Sequence, residues 1–231
     1  MNDEADLAGR RHRSAALGEA MRAAARAVVD SDAPDVDLDA ARQLAERITA
    51  LLSPSSRSRT QLPAVDDLTE GVRMFSPISG LASPVSPPAS LTTTPSGVEG
   101  TVELDRRFEG PPGHVHGGMI SMLLDEVLGQ AVTRHGRWGL TARLSVEYRR
   151  AVPLYTPIRL VGRFVSIDGR KCILEGGLYD ADDPQRAYAT GEALFIEPRA
   201  ETQAEYFGAL TDASGAATSP RLGGTTGWGL A

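Results

Sequence analysis

After residue 116 the chain offers one unbroken apolar helical run, residues 117–134, and then four strand-like runs at 140–150, 157–167, 171–180 and 186–197. Few architectures accommodate that order. Pro153, Asp168-Gly169 and Asp182-Asp183-Pro184 punctuate the runs, and Asp-Gly is a strong hairpin signal. Turns this short require antiparallel neighbours. With a further strand at 98–106, ahead of the Gly110-Pro-Pro-Gly113 turn, the pattern reads as one strand, one buried helix and a four-strand meander, an α+β fold. On a helical wheel Ile120, Leu123, Leu124, Val127 and Ala131 share the side that a curved sheet can wrap. Gly118, Ser121, Asp125 and Gly129 gather opposite them with Met122 and Val132, so a carboxylate stands among small residues that admit a ligand or another backbone. Glu126 lies about 100° round the wheel from Asp125. Asp125 is therefore the candidate functional acid.

The rest of the chain divides into an N-terminal helical extension (1–62), a Ser/Pro-rich connecting segment (63–97), the sheet-and-helix domain (98–198) and a flexible C-terminal tail (199–231), the tail being expected to be mostly disordered. Two amphipathic helices are expected at 14–29 and 37–52, with Leu17, Met21, Ala24 and Val28 marking one apolar stripe and Leu44, Ile48 and Leu51 the other. They read as a helical hairpin covering part of the core or a neighbouring subunit. Residues 53–95 carry repeated Ser-Pro steps that suit neither helix interiors nor central strands. A connection this long is either a flexible linker or a cover over a binding site, pinned by Met74, Phe75, Ile78 and Leu81.

A formal charge of −6, with Lys171 the single lysine, gives no electrostatic footprint for nucleic acid. Cys172 is the sole cysteine, so no intramolecular disulfide can form, and it reads as a small apolar strand residue. No run approaches the ~18 apolar residues of a membrane span, and no secretory leader is legible. A cytoplasmic location is the expectation.

The chemistry concentrates where the long helix begins. Its first amides lack intrahelical acceptors and sit at the positive end of the macrodipole. Here they belong to Gly117 and Gly118, which either allow a tight entry into the helix or polarise a carbonyl and hold an oxyanion. Eight residues separate Gly117 from Asp125, roughly 12 Å at the helical rise. One helix cannot bring both to one carbonyl. Two such helices, antiparallel about a two-fold axis, could set each Asp125 beside the other's Gly117, giving two equivalent sites per dimer and an inactive monomer.

The string Gly110-Pro-Pro-Gly-x-Val-His116-Gly117-Gly118, with Asp125 nine positions after the histidine, then Thr141, Tyr148-Arg-Arg-x-Val-Pro153 and Gly191-Glu-Ala-Leu-Phe195, resembles the hotdog-fold acyl-CoA thioesterases of the phenylacetyl-CoA type over residues 98–197. The resemblance implies an antiparallel sheet wrapped around the long helix, a homodimer or a tetramer of dimers, and an acyl-CoA substrate in fatty-acid-type metabolism. It also implies that the Gly117 amide polarises the thioester, that Asp125 of the other subunit is the general base or the nucleophile, that His116 steadies the glycine turn and the carbonyl, and that Thr141 orients the carboxylate or water. Gly110 stands where some relatives carry an asparagine that grips the carbonyl, and Ala151 where many carry proline.

Arg170 and Lys171, on a turn at the sheet end, are the candidate contacts for the phosphates of coenzyme A. His114-x-His116 lacks a clear third ligand, so neither a metal nor a resident cofactor is expected. Two other activities fit the same resemblance: an enoyl-CoA hydratase or dehydratase using His116 and Asp125, and a non-catalytic acyl-CoA-binding protein.

Overall fold

The computed structural model describes residues 2–67, 72–212 and 214–218. Two helices open the chain, α1 (Asn2–Asp30) and α2 (Asp35–Leu52). Strands β1 (Ser90–Thr94) and β2 (Gly97–Val102) precede the long helix α3 (Gly117–Arg134), and β3 (Leu140–Tyr148), β4 (Ile158–Asp168), β5 (Lys171–Asp180) and β6 (Ala187–Ile196) follow it. The six strands form one antiparallel sheet in the order β1-β2-β4-β5-β6-β3. Helix α3 lies along it in the hotdog arrangement.

The four later strands are not the expected meander. Only β4, β5 and β6 run as one; β3 lies beyond β6, with Thr141 opposite Phe195 and Tyr148 opposite Ala189, while β4 pairs with β2. The crossing residues need no strand neighbour because the loop ahead of α3 takes that role: Val115 donates its amide to Val152, and Leu154 donates to Gly113. Val152 is fully buried at the crossing. The sheet also begins earlier than residue 98. The polar strand β1 forms inside the Ser/Pro-rich segment and pairs with β2 from Ser90 opposite Thr101 to Thr94 opposite Gly97.

Ile120, Leu123, Leu124, Val127 and Ala131 are buried against the sheet, as are Met119 and Leu128. Each fully buried leucine of this face contributes roughly 1.5–3 kcal/mol. Gly162 on β4 lets the helix close in, since a Cβ there would lie 2.7 Å from the Val127 carbonyl oxygen. One assignment from the helical wheel changes: Val132 is 1% exposed and belongs to the core, not to the open side.

The connecting segment is a cover rather than a free linker over its later part, with Met74, Ser76, Ile78 and Ala82 buried. Helix α1 holds it through polar contacts. Arg11 donates to the Val65 carbonyl, Arg22 donates to the carbonyls of Leu81 and Ser83, and Gly18 packs where a Cβ would lie 2.6 Å from the Leu81 oxygen. Arg26 and Arg107 both bind buried Asp105, which ties α1 to the sheet unit. The apolar stripe of α1 is consequently not its packing face, for Leu17 and Val28 stay exposed, and α2 has no buried residue. In the tail, α4 (Ala200–Phe207) sets its Phe207 ring edge-on against Trp138, and Thr211 exchanges backbone bonds with Thr60 and Leu62. The described part of the tail is therefore structured, contrary to the expectation; residues 219–231 lie outside the described residues. Among the described residues no helix is long and apolar enough to cross a membrane.

Candidate active site

Helix α3 starts at a histidine cap. His116 has extended backbone (φ −64°, ψ 134°), and its Nδ1 accepts the Gly118 amide at 2.9 Å. A neutral imidazole whose Nδ1 accepts must carry its proton on Nε2. The two glycine amides are thus unequal: Gly118 N–H is engaged within the chain, whereas Gly117 N–H has no acceptor among the described residues. Gly117, rather than Gly118, is left as the donor for an outside oxygen. Two backbone bonds, His116 N–H to Phe108 and Gly110 N–H to His114, fix the loop that leads in. A Cβ at Gly110 would lie 2.7 Å from the His116 Cα, so the asparagine of some relatives would not fit here without moving the cap. His114 turns its Nδ1 to the Pro112 carbonyl instead of pairing with His116.

Two turns along, Asp125 projects from the exposed side of α3. Thr141 Oγ1, at the start of β3, donates to Asp125 Oδ1 at 2.8 Å. The other carboxylate oxygen, Oδ2, meets no donor among the described residues. Its neighbour Glu126 is committed elsewhere, accepting from Ser79 Oγ at 2.7 Å, Gln130 Nε2 at 3.0 Å and Ser76 Oγ at 3.4 Å. Glu126 therefore pins the covering segment, while Asp125 keeps one carboxylate oxygen unengaged among the described residues. The 100° between them decides which carboxylate meets the cover and which meets solvent.

The structure thus brings His116, Gly117 and Gly118 together at one end of α3 and Asp125 with Thr141 farther along, but it does not bring the two groups together within one chain. They stay about 12 Å apart along the axis. Both lie on a surface that also exposes Met122 (46%) and Tyr148 (55%), beside β3 at the edge of the sheet. Arg170 lies in the β4–β5 turn, and Lys171 opens β5 directly after it. Lys171 and Leu140 both pair with Ile196, so this turn sits at the Thr141 end of the sheet, two strand spacings or roughly 10 Å from β3. Arg170 spends one guanidinium nitrogen on the Glu197 carbonyl at 2.6 Å, while Lys171 is exposed.

Two hydroxyls at the helix entrance were not singled out for chemistry by sequence reasoning. Tyr148 OH lies 2.7 Å from Ser121 Oγ and donates to the Gly117 carbonyl at 3.1 Å. Ser121 falls one helical turn after Gly117, and that spacing is the single signal that could have drawn notice to it.

The family model for the thioesterase superfamily matches residues 112–187. A solved structure described as a thioesterase superfamily protein superposes with a TM-score of 0.70 and 32% identity, covering 79% of this chain and 94% of that one. Among curated relatives, MIOREX complex component 3 of Saccharomyces cerevisiae is 46% identical over 69 residues, which are 29% of this chain and 25% of that protein. Acyl-coenzyme A thioesterase THEM4 of Mus musculus is 30% identical over 90 residues, 39% of this chain and 38% of that protein. The chain spans about a quarter to two-fifths of the length of the curated relatives it matches.

Proposed function

Since the chain belongs to the thioesterase superfamily, we propose that it hydrolyses the thioester of an acyl-coenzyme A to a free carboxylic acid and coenzyme A. The observation that carries this reading is the division of labour on the open face of α3: an amide with no acceptor at the helix start, and a carboxylate with one oriented and one open oxygen two turns on. In a two-fold dimer with antiparallel α3 helices, Gly117 N–H of one subunit polarises the thioester carbonyl. Asp125 of the other faces the same carbon. Thr141 holds Oδ1, so Oδ2 either takes the proton from an attacking water or attacks the carbonyl itself. The negative charge that develops on the carbonyl oxygen is met by the Gly117 amide and the positive end of α3. Collapse of the tetrahedral adduct breaks the C–S bond and expels coenzyme A as a thiolate, which is weakly basic enough to leave without a strong general acid; on the nucleophilic route water then cleaves the acyl–Asp125 anhydride to free acid and carboxylate. Lys171 is the group best placed by its exposure to meet a coenzyme A phosphate, with Arg170 beside it.

The test is release of free thiol from a panel of acyl-CoAs by the purified protein, with enoyl absorbance followed in parallel. Thiol release that falls by at least ~10²-fold in a folded, dimeric Asp125→Asn variant is the expected result. A change in enoyl absorbance without thiol would assign a hydratase instead. Acyl-CoA binding with no turnover would assign a binding protein.

A further inference from the structure

We propose that Tyr148 is a positioning residue for this site, acting on the oxyanion-binding end of α3 through the Gly117–Gly118 peptide and the His116 ring; the inference rests on the thioesterase reading above. Tyr148 closes β3 opposite Ala189 and is 55% exposed in the single chain, so packing within the chain does not account for where its ring lies. The ring runs alongside Gly117, with Cε1 3.6 Å from the point where a Cβ would stand.

Its hydroxyl makes two contacts and has one proton. The Gly117 carbonyl can only accept, so the phenol proton goes to that oxygen at 3.1 Å. Ser121 Oγ is also 3.4 Å from the Gly117 carbonyl, a longer and weaker contact, so the arrangement that uses the two short contacts has Ser121 donating to the phenol oxygen 2.7 Å away. The Gly117 carbonyl and the Gly118 N–H are the two ends of one planar peptide group. That N–H donates to His116 Nδ1 at 2.9 Å. A continuous chain therefore runs from Ser121 to Tyr148, through the peptide, to the imidazole.

Drawing electron density toward the carbonyl oxygen makes the N–H of the same amide a stronger donor, and linked hydrogen bonds strengthen one another by about 10–30% each. The consequence for His116 is a ring held in one orientation with its proton on Nε2, facing outward from the cap. The consequence for Gly117 is mechanical. A glycine at the first helical position has no side chain to restrict its backbone. Anchoring its carbonyl from Tyr148 fixes the plane on one side of Gly117, and the backbone bond from His116 N–H to Phe108 holds the segment on the other. The unengaged Gly117 amide is left between two fixed points, aimed before substrate arrives.

The experiment compares full-length wild type, Tyr148→Phe and Ser121→Ala, each checked for folding and assembly. Loss of one ordinary hydrogen bond from the transition-state donor corresponds to a ~3- to 10-fold fall in kcat with little change in KM. Ser121→Ala, one link farther out, should move kcat in the same direction and less. In parallel, nitrogen-15 NMR at a pH where imidazoles are neutral reads the His116 tautomer and the Gly118 amide proton. In Tyr148→Phe the Gly118 proton should move upfield and the proton on His116 should redistribute toward Nδ1. A folded Tyr148→Phe protein with wild-type kcat, or with an unmoved Gly118 resonance, overturns the inference. If wild type releases no thiol at all, the thioesterase reading has failed, and the NMR comparison still decides whether Tyr148 holds the peptide.

Discussion

Gly117→Pro removes the amide hydrogen of the proposed site and sets the pyrrolidine ring in its place, so its effect is read against Gly117→Ala, which adds bulk but keeps the amide. Gly117 is the first helical residue of α3, where an amide has no intrahelical acceptor and proline is well tolerated. The residue ahead of a proline must be extended, and His116 already is, at φ −64° and ψ 134°. Space is available too, since a Cβ at position 117 would first meet Tyr148 at 3.6 Å, an ordinary contact. No hydrogen bond among the described residues is lost, so stability should stay within about 0.5 kcal/mol of wild type. Catalysis should not. Deleting one oxyanion donor costs about 10²- to 10³-fold in kcat, or roughly 3–4 kcal/mol. Gly117→Ala is the companion variant: it keeps the amide and adds a methyl group where the thioester approaches, so its defect should appear chiefly in KM. The assay is thiol release under saturating acyl-CoA, with thermal unfolding and sedimentation to establish that each variant folds and associates. A folded, associated Gly117→Pro protein with kcat within about threefold of wild type would refute the assignment of this amide as the oxyanion donor.

Further outcomes follow from the same geometry. Thr141→Val keeps the shape and β-propensity of the strand residue but strips Asp125 Oδ1 of its donor, and a hydrogen bond to a charged group predicts a ~10-fold or larger fall in kcat without a matching loss of stability. Burial alone would push the Asp105 carboxyl up, but its hydrogen bonds and charge interactions with Arg107, together with the charge of Arg26, hold it below the ordinary carboxylate range. A carboxyl depressed in the fold stabilises the protein above its unfolded value, near 4, and loses that contribution as pH falls through the folded value. Urea titrations from pH 7 downward should therefore show acid destabilisation that Asp105→Asn abolishes in part; an unchanged pH slope in that variant would contradict the assignment. Asp66, raised mainly by burial, contributes with the opposite sign, so the comparison is best made in an Asp66→Asn background.

How far the sequence was legible depends on whether an element declares itself locally. Helix α3 does, because its apolar face and its Gly-Gly start are written within 18 residues. Strands β4 to β6 do as well, since the Asp168-Gly169 and Asp182-Asp183-Pro184 turns punctuate them. The partner of β3 does not: the choice between β4 and β6 is settled by residues some 50 positions away, through pairs such as Thr141 with Phe195. Strand β1 hides for another reason. Ser-Leu-Thr-Thr-Thr is a polar edge segment held by one neighbour, and it offers no alternation to read. Helix α1 misleads because its conspicuous Leu17 and Val28 face outward while Arg11, Arg22 and Arg26 make the attachments, and an arginine in a helix ordinarily signals solvent. At the site, residue types and spacing pointed to Asp125, Thr141, His116 and the glycines, but nothing in the letters distinguishes the engaged amide of Gly118 from the open one of Gly117. That distinction comes from the His116 ring, whose direction only the folded loop defines.

The claim on which the mechanism stands is that each site draws its amide and its carboxylate from different chains, and subunit complementation tests it directly. Asp125→Ala and Gly117→Pro proteins, each inactive alone, are unfolded, mixed in equal amounts and refolded. Shared sites make one intact Gly117–Asp125 pair in every mixed dimer, and random assortment then restores about a quarter of wild-type thiol release. Sites contained within single chains leave every one defective, and a mixture of mixed dimers as inactive as its two components would contradict the account.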